Sequence, residues 1–164
     1  MKTLYIIRHA KSSWSFDLPD IDRPLGVRGR RDVHKVGTYL SRTEPTPDMM
    51  ITSNASRSLY TALIIADEWS YPEEEIKIAE ELYHTDSRTI LAFLATLGEA
   101  NSVAIFSHNP ALNELVNEFS KTYIDNLPTC GVCAVYLDIE DWADIKGEKG
   151  KVKFLISPKR MPLE

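Results

Sequence analysis

Leu4-Tyr5-Ile6-Ile7-Arg8-His9-Ala10-Lys11 is the stretch whose reading decides the fold of this chain. Its first half, Leu4 to Ile7, is apolar and β-prone, the pattern of a strand buried on both faces. Polar residues begin the moment that run stops. In open α/β sheets ligands bind outside the carboxyl ends of the strands, so Arg8 and His9 stand where chemistry is expected. An arginine beside a histidine offers a phosphate clamp next to a nucleophile or proton carrier. The bland alternative is a strand end carrying two exposed polar residues, and only the rest of the chain separates the two.

Three further stretches do so. Met49-Met50-Ile51 runs into Thr52-Ser53-Asn54-Ala55-Ser56-Arg57 and then the helical pattern Leu59, Leu63, Ile64, Trp69. Val103-Ala104-Ile105-Phe106 is followed by Ser107-His108-Asn109-Pro110, again opening a helix. Asp22-Arg23-Pro24-Leu25 is expected to open a third, with proline at a starting position. Each stretch ends a strand or begins a helix, so their polar groups are expected to converge on one rim of a sheet. His9 and His108 meeting Arg8, Arg23 and Arg57 there would make a site for a phosphoryl group.

The chain as a whole alternates. Strands are expected near 3–7, 48–52, 76–79 and 102–107, and helices near 24–42, 55–69, 87–97 and 110–121. The pattern then changes to Val132, Ala134, Tyr136-Leu137 and Val152 to Ile156, strands joined by the polar turn Lys146-Gly147-Glu148-Lys149-Gly150. This order predicts a three-layer α/β fold: a mostly parallel central sheet, helices on both faces and an antiparallel edge hairpin. Ser12–Ile21, with Pro19, Asp17 and Asp20, reads as a surface loop beside the site, either plain connection or a recognition element.

Composition narrows the function classes. A chain of 164 residues with 43% hydrophobic content can bury one sizeable core, so a single domain over 1–164 is expected. No apolar run approaches the length of a membrane span, and no leader pattern precedes the first strand. Two cysteines argue for a reducing compartment, hence a cytoplasmic location, and against a disulfide framework. A formal net charge of -5 without a basic stripe argues against nucleic acid as a partner. Cys130-Gly131-Val132-Cys133 spells C-x-x-C but enters a strand, where residues three apart point to opposite faces. Two buried thiols are expected there, not a redox or zinc site.

Taken together, Arg8-His9-Ala10-Lys11-Ser12-Ser13-Trp14, Asp22-Arg23-Pro24-Leu25 with Arg28-Gly29, Ser53 to Arg57 with Thr61-Ala62, Leu82-Tyr83, Ser107-His108-Asn109-Pro110 and Leu127-Pro128-Thr129 resemble the histidine phosphatase superfamily. The likeness runs nearly end to end and is greatest to the small SixA-type phosphohistidine phosphatases. Ala10 departs from the superfamily's commoner Arg-His-Gly start, and Ser107 stands where glycine is frequent; neither change removes a reacting group. The resemblance implies a phosphoglycerate mutase-like fold, no metal or other cofactor, and a phosphorylated protein as partner. It implies His9 as the nucleophile, Arg8 and Arg57 as clamps and His108 as a donor to the phosphoryl group. Arg23 is implied as a third anion contact, although a salt bridge to Asp20 or Asp22 is an equal alternative. Ser53 either caps the helix or touches phosphate, the cap being favoured, and His34 is expected on a solvated helix face.

The region around Leu82-Tyr83 carries a proton-donating glutamate in the mutases and ester phosphatases of the superfamily. Glu80, Glu81, His84 and Asp86 are the candidates here, and none stands out. An alkoxide leaving group needs a positioned acid. Imidazole departing from a protonated phosphohistidine leaves neutral and needs far less help. The expected activity is therefore hydrolysis of phosphohistidine on proteins, with a small-molecule phosphomonoesterase as the alternative. A non-catalytic phosphoprotein-binding module is the alternative of another class.

Overall fold

The structure is a computed structural model and describes residues 1–162; Leu163 and Glu164, the last two of the expected domain, lie outside the described residues. The strands are β1 (Lys2–Arg8), β2 (Met49–Thr52), β3 (Lys77–Ile78), β4 (Ser102–Ser107), β5 (Val132–Leu137) and β6 (Lys151–Ile156). They form one six-stranded sheet of order β3-β2-β4-β1-β5-β6. The pairs β1–β4, β2–β4 and β2–β3 are parallel, whereas β1–β5 and β5–β6 are antiparallel.

Among the described residues the α-helices are α1 (Val27–Thr43), α2 (Ser56–Glu68), α3 (Ser87–Leu94) and α4 (Ala111–Phe119). Alternation along β1 divides the core between them. Leu4 and Ile6 pack with Ile90 and Leu94 of α3 and Leu112 and Leu115 of α4. Tyr5 and Ile7 pack on the other face with Val33, Val36 and Leu40 of α1 and Ala62 and Ile65 of α2. Val33, Val36 and Leu40 recur at helical spacing, which is why α1 presents one buried stripe. Leu4, Ile6 and Ile7 are fully buried, and each contributes ~1.5–3 kcal/mol of transfer free energy. That exceeds the ~1 kcal/mol net of a typical hydrogen bond, so packing rather than polar contact fixes where β1 ends.

Parallel register then gathers the site. Arg8 lies opposite Ser107 and Thr52 opposite Phe106. The segments leaving β1, β2 and β4 therefore emerge on one rim, as the sequence pattern predicts.

Several expected boundaries move. The helix expected from residue 24 begins at Val27, and Asp22 to Leu25 do not open it. Leu25 instead bridges to Ser12, the Ser13 N–H donates to the Pro24 carbonyl at 2.8 Å, and the Gly26 N–H donates to that of Lys11 at 3.0 Å. These bonds hold residues 24–26 extended against the segment after His9, overriding the proline start signal. Strand β3 is shorter than expected, and α3 and α4 end sooner; beyond α4, Asn117 turns the chain by bonding both the carbonyl and the N–H of Ile124. Among the described residues no helix is long and apolar enough to cross a membrane. Cys130 and Cys133 are free and buried, one in each core cluster. Only Cys133 lies in β5, whereas Cys130 sits in the turn before it with φ 58°, so that turn and not strand alternation sets the direction of Cys130.

Candidate active site

His9 leaves the end of β1 held by its own backbone. Its N–H donates to the Ser107 carbonyl at 3.1 Å, and its carbonyl accepts from the Cys130 N–H at 3.0 Å. The next residue is fixed from α2, where Thr61 Oγ1 accepts from the Ala10 N–H at 3.0 Å and donates to the Arg57 carbonyl at 2.7 Å. The His9 ring lies with Nδ1 2.7 Å from the Ala10 carbonyl. A carbonyl only accepts, so Nδ1 carries the proton and Nε2 keeps its lone pair. Burial pushes the imidazole down to about 4, against the opposing pull of that hydrogen bond. The positive fields of Arg57, Arg8 and Arg23 contribute to that same lowering, so the ring is neutral at physiological pH.

His108 stands beside it, ring centroids 5.0 Å apart. Burial, then the neighbouring His9 and Arg57, bring it down to about 3. Its Nε2 lies 2.7 Å from Ser53 Oγ. Ser53 therefore corrects the expected capping role: Ala55 is the residue at the start of α2, and no side chain caps that helix. The Ser53 hydroxyl serves His108 instead.

The arginines surround the pair. Arg23 and Arg57 are buried, and Arg8 is half-buried with Nη1 donating to the Leu127 carbonyl at 2.9 Å. Arg57 occupies the first turn of α2, an unfavourable place for a cation. It donates from Nη1 to the Asp20 carbonyl at 2.7 Å and from Nη2 to Asp20 Oδ2 at 3.0 Å. Arg23 Nε is 3.3 Å from Asp20 Oδ1, and its guanidinium lies 3.4 Å over the Trp14 ring. The salt bridge to Asp20 and a place on the cleft wall thus coexist for Arg23. Nitrogens of Arg8, Arg23 and Arg57 are nevertheless buried without a hydrogen-bond partner among the described residues. Buried, under-satisfied guanidinium groups in one place are a receptor for an oxyanion.

A cleft of about 330 Å³ opens over Arg8, His9, Arg23, Arg57 and His108. Beyond Arg57 and His108 it meets a second of about 400 Å³, which adds Asp20 and His84. Among the described residues Asp20 is the one carboxylate lining either cleft. The Tyr83 hydroxyl donates to it at 2.6 Å, and that bond, with Arg57 and Arg23, holds the carboxyl down at about 2. Asp86, by contrast, caps α3 by accepting from the Thr89 N–H at 2.8 Å. Glu80 and Glu81 are exposed and line neither cleft. His84 stacks on Tyr83 at the rim, with Nε2 4.0 Å from Asp20. His34 is exposed and 3.3 Å from Glu68. Among the described residues no three metal-ligating side chains come together.

The structure therefore brings together all five predicted site residues. The parts without a sequence signal are the Ser53–His108 contact and the Tyr83–Asp20–Arg57 chain. Asp20 was visible only as one acid of a loop.

Comparison with known proteins bears on the family and the fold. The family described as the histidine phosphatase superfamily (branch 1) matches residues 4–87, just over half of the chain. An uncharacterised protein of Mycobacterium tuberculosis is 25% identical over 151 residues, covering 85% of this chain and 92% of the relative. The protein histidine phosphatase SixA complexed with tungstate superposes with a TM-score of 0.81 at 22% identity, over 96% of this chain and 97% of that one. A phosphoserine phosphatase variant from Entamoeba histolytica, in complex with phosphoserine, superposes with a TM-score of 0.68 at 13% identity, over 99% and 100%. The fold is thus the phosphoglycerate mutase-like α/β fold that SixA shares.

Proposed function

Because this chain belongs to the histidine phosphatase superfamily, we propose that it is a metal-independent phosphatase that hydrolyses phosphohistidine on proteins through a covalent phospho-His9 intermediate. The observation that carries the reading is the neutral His9 ring, proton on Nδ1 and lone pair on Nε2, beside the under-satisfied guanidinium groups of Arg8, Arg23 and Arg57. Nε2 attacks phosphorus as the bond from phosphorus to the departing imidazole breaks. The substrate ring, protonated on its other nitrogen, leaves neutral. Positive charge gathering on the His9 ring strengthens the Nδ1–H bond to Ala10. Arg8 and Arg57 grip the phosphoryl oxygens, and Arg23 completes the field. His108, held by Ser53 in the free protein, donates to a phosphoryl oxygen as charge shifts during transfer. Water then attacks phospho-His9 and releases inorganic phosphate.

Two features favour P–N over P–O cleavage. Asp20, the carboxylate in the clefts, is held ionised and cannot donate a proton. Asp86 is committed to its helix cap. A protein substrate is favoured by Trp14, Phe16 and Leu18, exposed at 79%, 59% and 44% in the loop beside His9. Two free thiols suit a cytoplasmic setting.

The test is turnover of a phosphohistidine protein beside a panel of alkyl phosphates, with excess chelator present. Rapid quench should trap acid-labile, base-stable phosphate on the native protein and none on His9→Ala, which should be inactive. Replacing Glu80, Glu81, His84 or Asp86 by a neutral residue should cost phosphohistidine turnover little. A loss of ~10²–10⁴-fold at one of them, the usual contribution of a general acid, together with faster alkyl phosphate turnover, would instead mark a phosphomonoesterase. Phosphate bound but never released would mark a binding module. Activity that needed added divalent metal would overturn the metal-free mechanism.

A further inference from the structure

A third cleft, of about 480 Å³, adjoins the catalytic one and is not used by the mechanism above. Arg8 and Thr129 line both, so the two are continuous across the turn that precedes β5. Its floor is apolar, formed by Pro128, Leu155 and Ile156. Its rim is basic: Arg28 from the first turn of α1, and Lys159 and Arg160 from the segment after β6. Among the described residues Asp32 is the single acid of the lining, and it lies 3.7 Å from Arg28. Neither Lys159 nor Arg160 pairs with an acid among the described residues.

This gathering of cations is local. The whole chain carries a formal net charge of -5, so four basic side chains around one groove against one acid among the described residues are not the background of the surface. Arg28 also stands at a helix start that carries no acidic residue, where the dipole already favours an anion. An apolar floor under a cationic rim suits a peptide that alternates apolar and acidic side chains, not a second free phosphate.

We propose that this groove binds an acidic segment flanking the phosphorylated histidine of the protein substrate, entering past Arg8 from the catalytic cleft. The proposal rests on the phosphohistidine reading above and adds the substrate's flanking chemistry to it. Lys159 and Arg160 are specificity-determining residues that touch the flank and not the phosphoryl group.

The experiment uses the full chain and three probes: phosphoimidazole, a phosphohistidine peptide with glutamates beside the histidine, and the same peptide with glutamines. The acidic peptide should have a KM about tenfold lower, the combined effect of a few exposed ion pairs, and the advantage should fade as salt rises. Lys159→Glu/Arg160→Glu should erase or invert that preference while phosphoimidazole turnover stays unchanged. Equal KM values for the two peptides, or a preference that survives the double substitution, would overturn the groove. Failure of the native protein to cleave any of the three would instead overturn the phosphohistidine reading. The groove stays testable even then: titration with the unphosphorylated acidic peptide should shift the NMR amide signals of Leu155, Ser157, Lys159 and Arg160. Absence of those shifts would sink it whatever the chemistry at His9.

Discussion

At His9 one hydrogen bond determines which nitrogen can react, and that bond is made to the residue's own chain neighbour. Its carbonyl acceptor leaves no choice of tautomer. Arg57 is constrained as tightly, gripped by both the carbonyl and the carboxylate of Asp20. A fork oriented in this way supplies two parallel donors, which an ammonium cannot imitate. Arg57→Ala should therefore lower kcat/KM by ~10²–10³-fold, as removal of one preorganised donor does elsewhere. Arg57→Lys should recover only part of that loss, and vanadate inhibition should weaken in the same order. Full recovery by lysine would show that charge alone is required. Arg8, His9 and His108 are legible because they stand where a buried strand ends, and Arg57 because it opens the helix that follows one. Ser53 is the exception, because a serine just before a helix carries a strong capping signal that the structure does not use. Its true partner is 55 positions away.

Among the elements, α1 packs tightly on the segment after His9. A Cβ placed on Gly29 would stand 2.1 Å from the Lys11 carbonyl oxygen and 3.0 Å from its carbon. Both are backbone atoms and cannot swing aside. Gly29→Ala should destabilise the fold by at least the ~1–3 kcal/mol typical of overpacking, and should lower turnover because Ala10 and Lys11 directly follow the nucleophile. Gly98, with nothing within 4 Å of its added Cβ, is the control, and Gly98→Ala should leave the melting temperature nearly unchanged. Equal melting temperatures for Gly29→Ala and the native protein would mean that α1 can slide. The same crowding explains why the helix expected from residue 24 starts later. Residues 24–26 are drawn into bonds with Lys11 to Ser13, and proline's helical preference is too weak to resist them.

Over the whole molecule, the two depressed imidazoles tie stability to pH. Histidines of an unfolded chain titrate near 6.5, whereas His9 is brought to about 4 and His108 to about 3 by burial first of all. Between those values the unfolded state binds more protons, so stability rises with pH. The contribution is fully present above about 6.5 and is lost as pH falls toward 4, on the order of 3 kcal/mol for His9 alone. Urea midpoints at pH 7, 5.5 and 4.5 should fall in that order. In His9→Gln/His108→Gln the fall should be much shallower across the same window. Asp20, held at about 2, loses its contribution only below the ordinary carboxylate range and does not confuse the comparison. An unchanged slope in the double variant would show that the imidazoles are solvated.

By itself the sequence determined the alternation of strands and helices, the two-sided burial of β1, and the placing of Arg8, His9 and His108 at strand ends and of Arg57 at the start of a helix. These are local properties: periodicity reports burial, and a change from apolar to polar marks where a strand meets solvent. Only the tertiary structure decided that Asp20 reaches across to Arg57, that Tyr83 keeps its carboxylate ionised, and that Ser53 holds His108. It alone joined Arg28 to Lys159 and Arg160 around one groove. Those contacts depend on how loops route residues distant in the chain, and the cost of closing a loop varies so weakly with its length that no local pattern records which ends will meet.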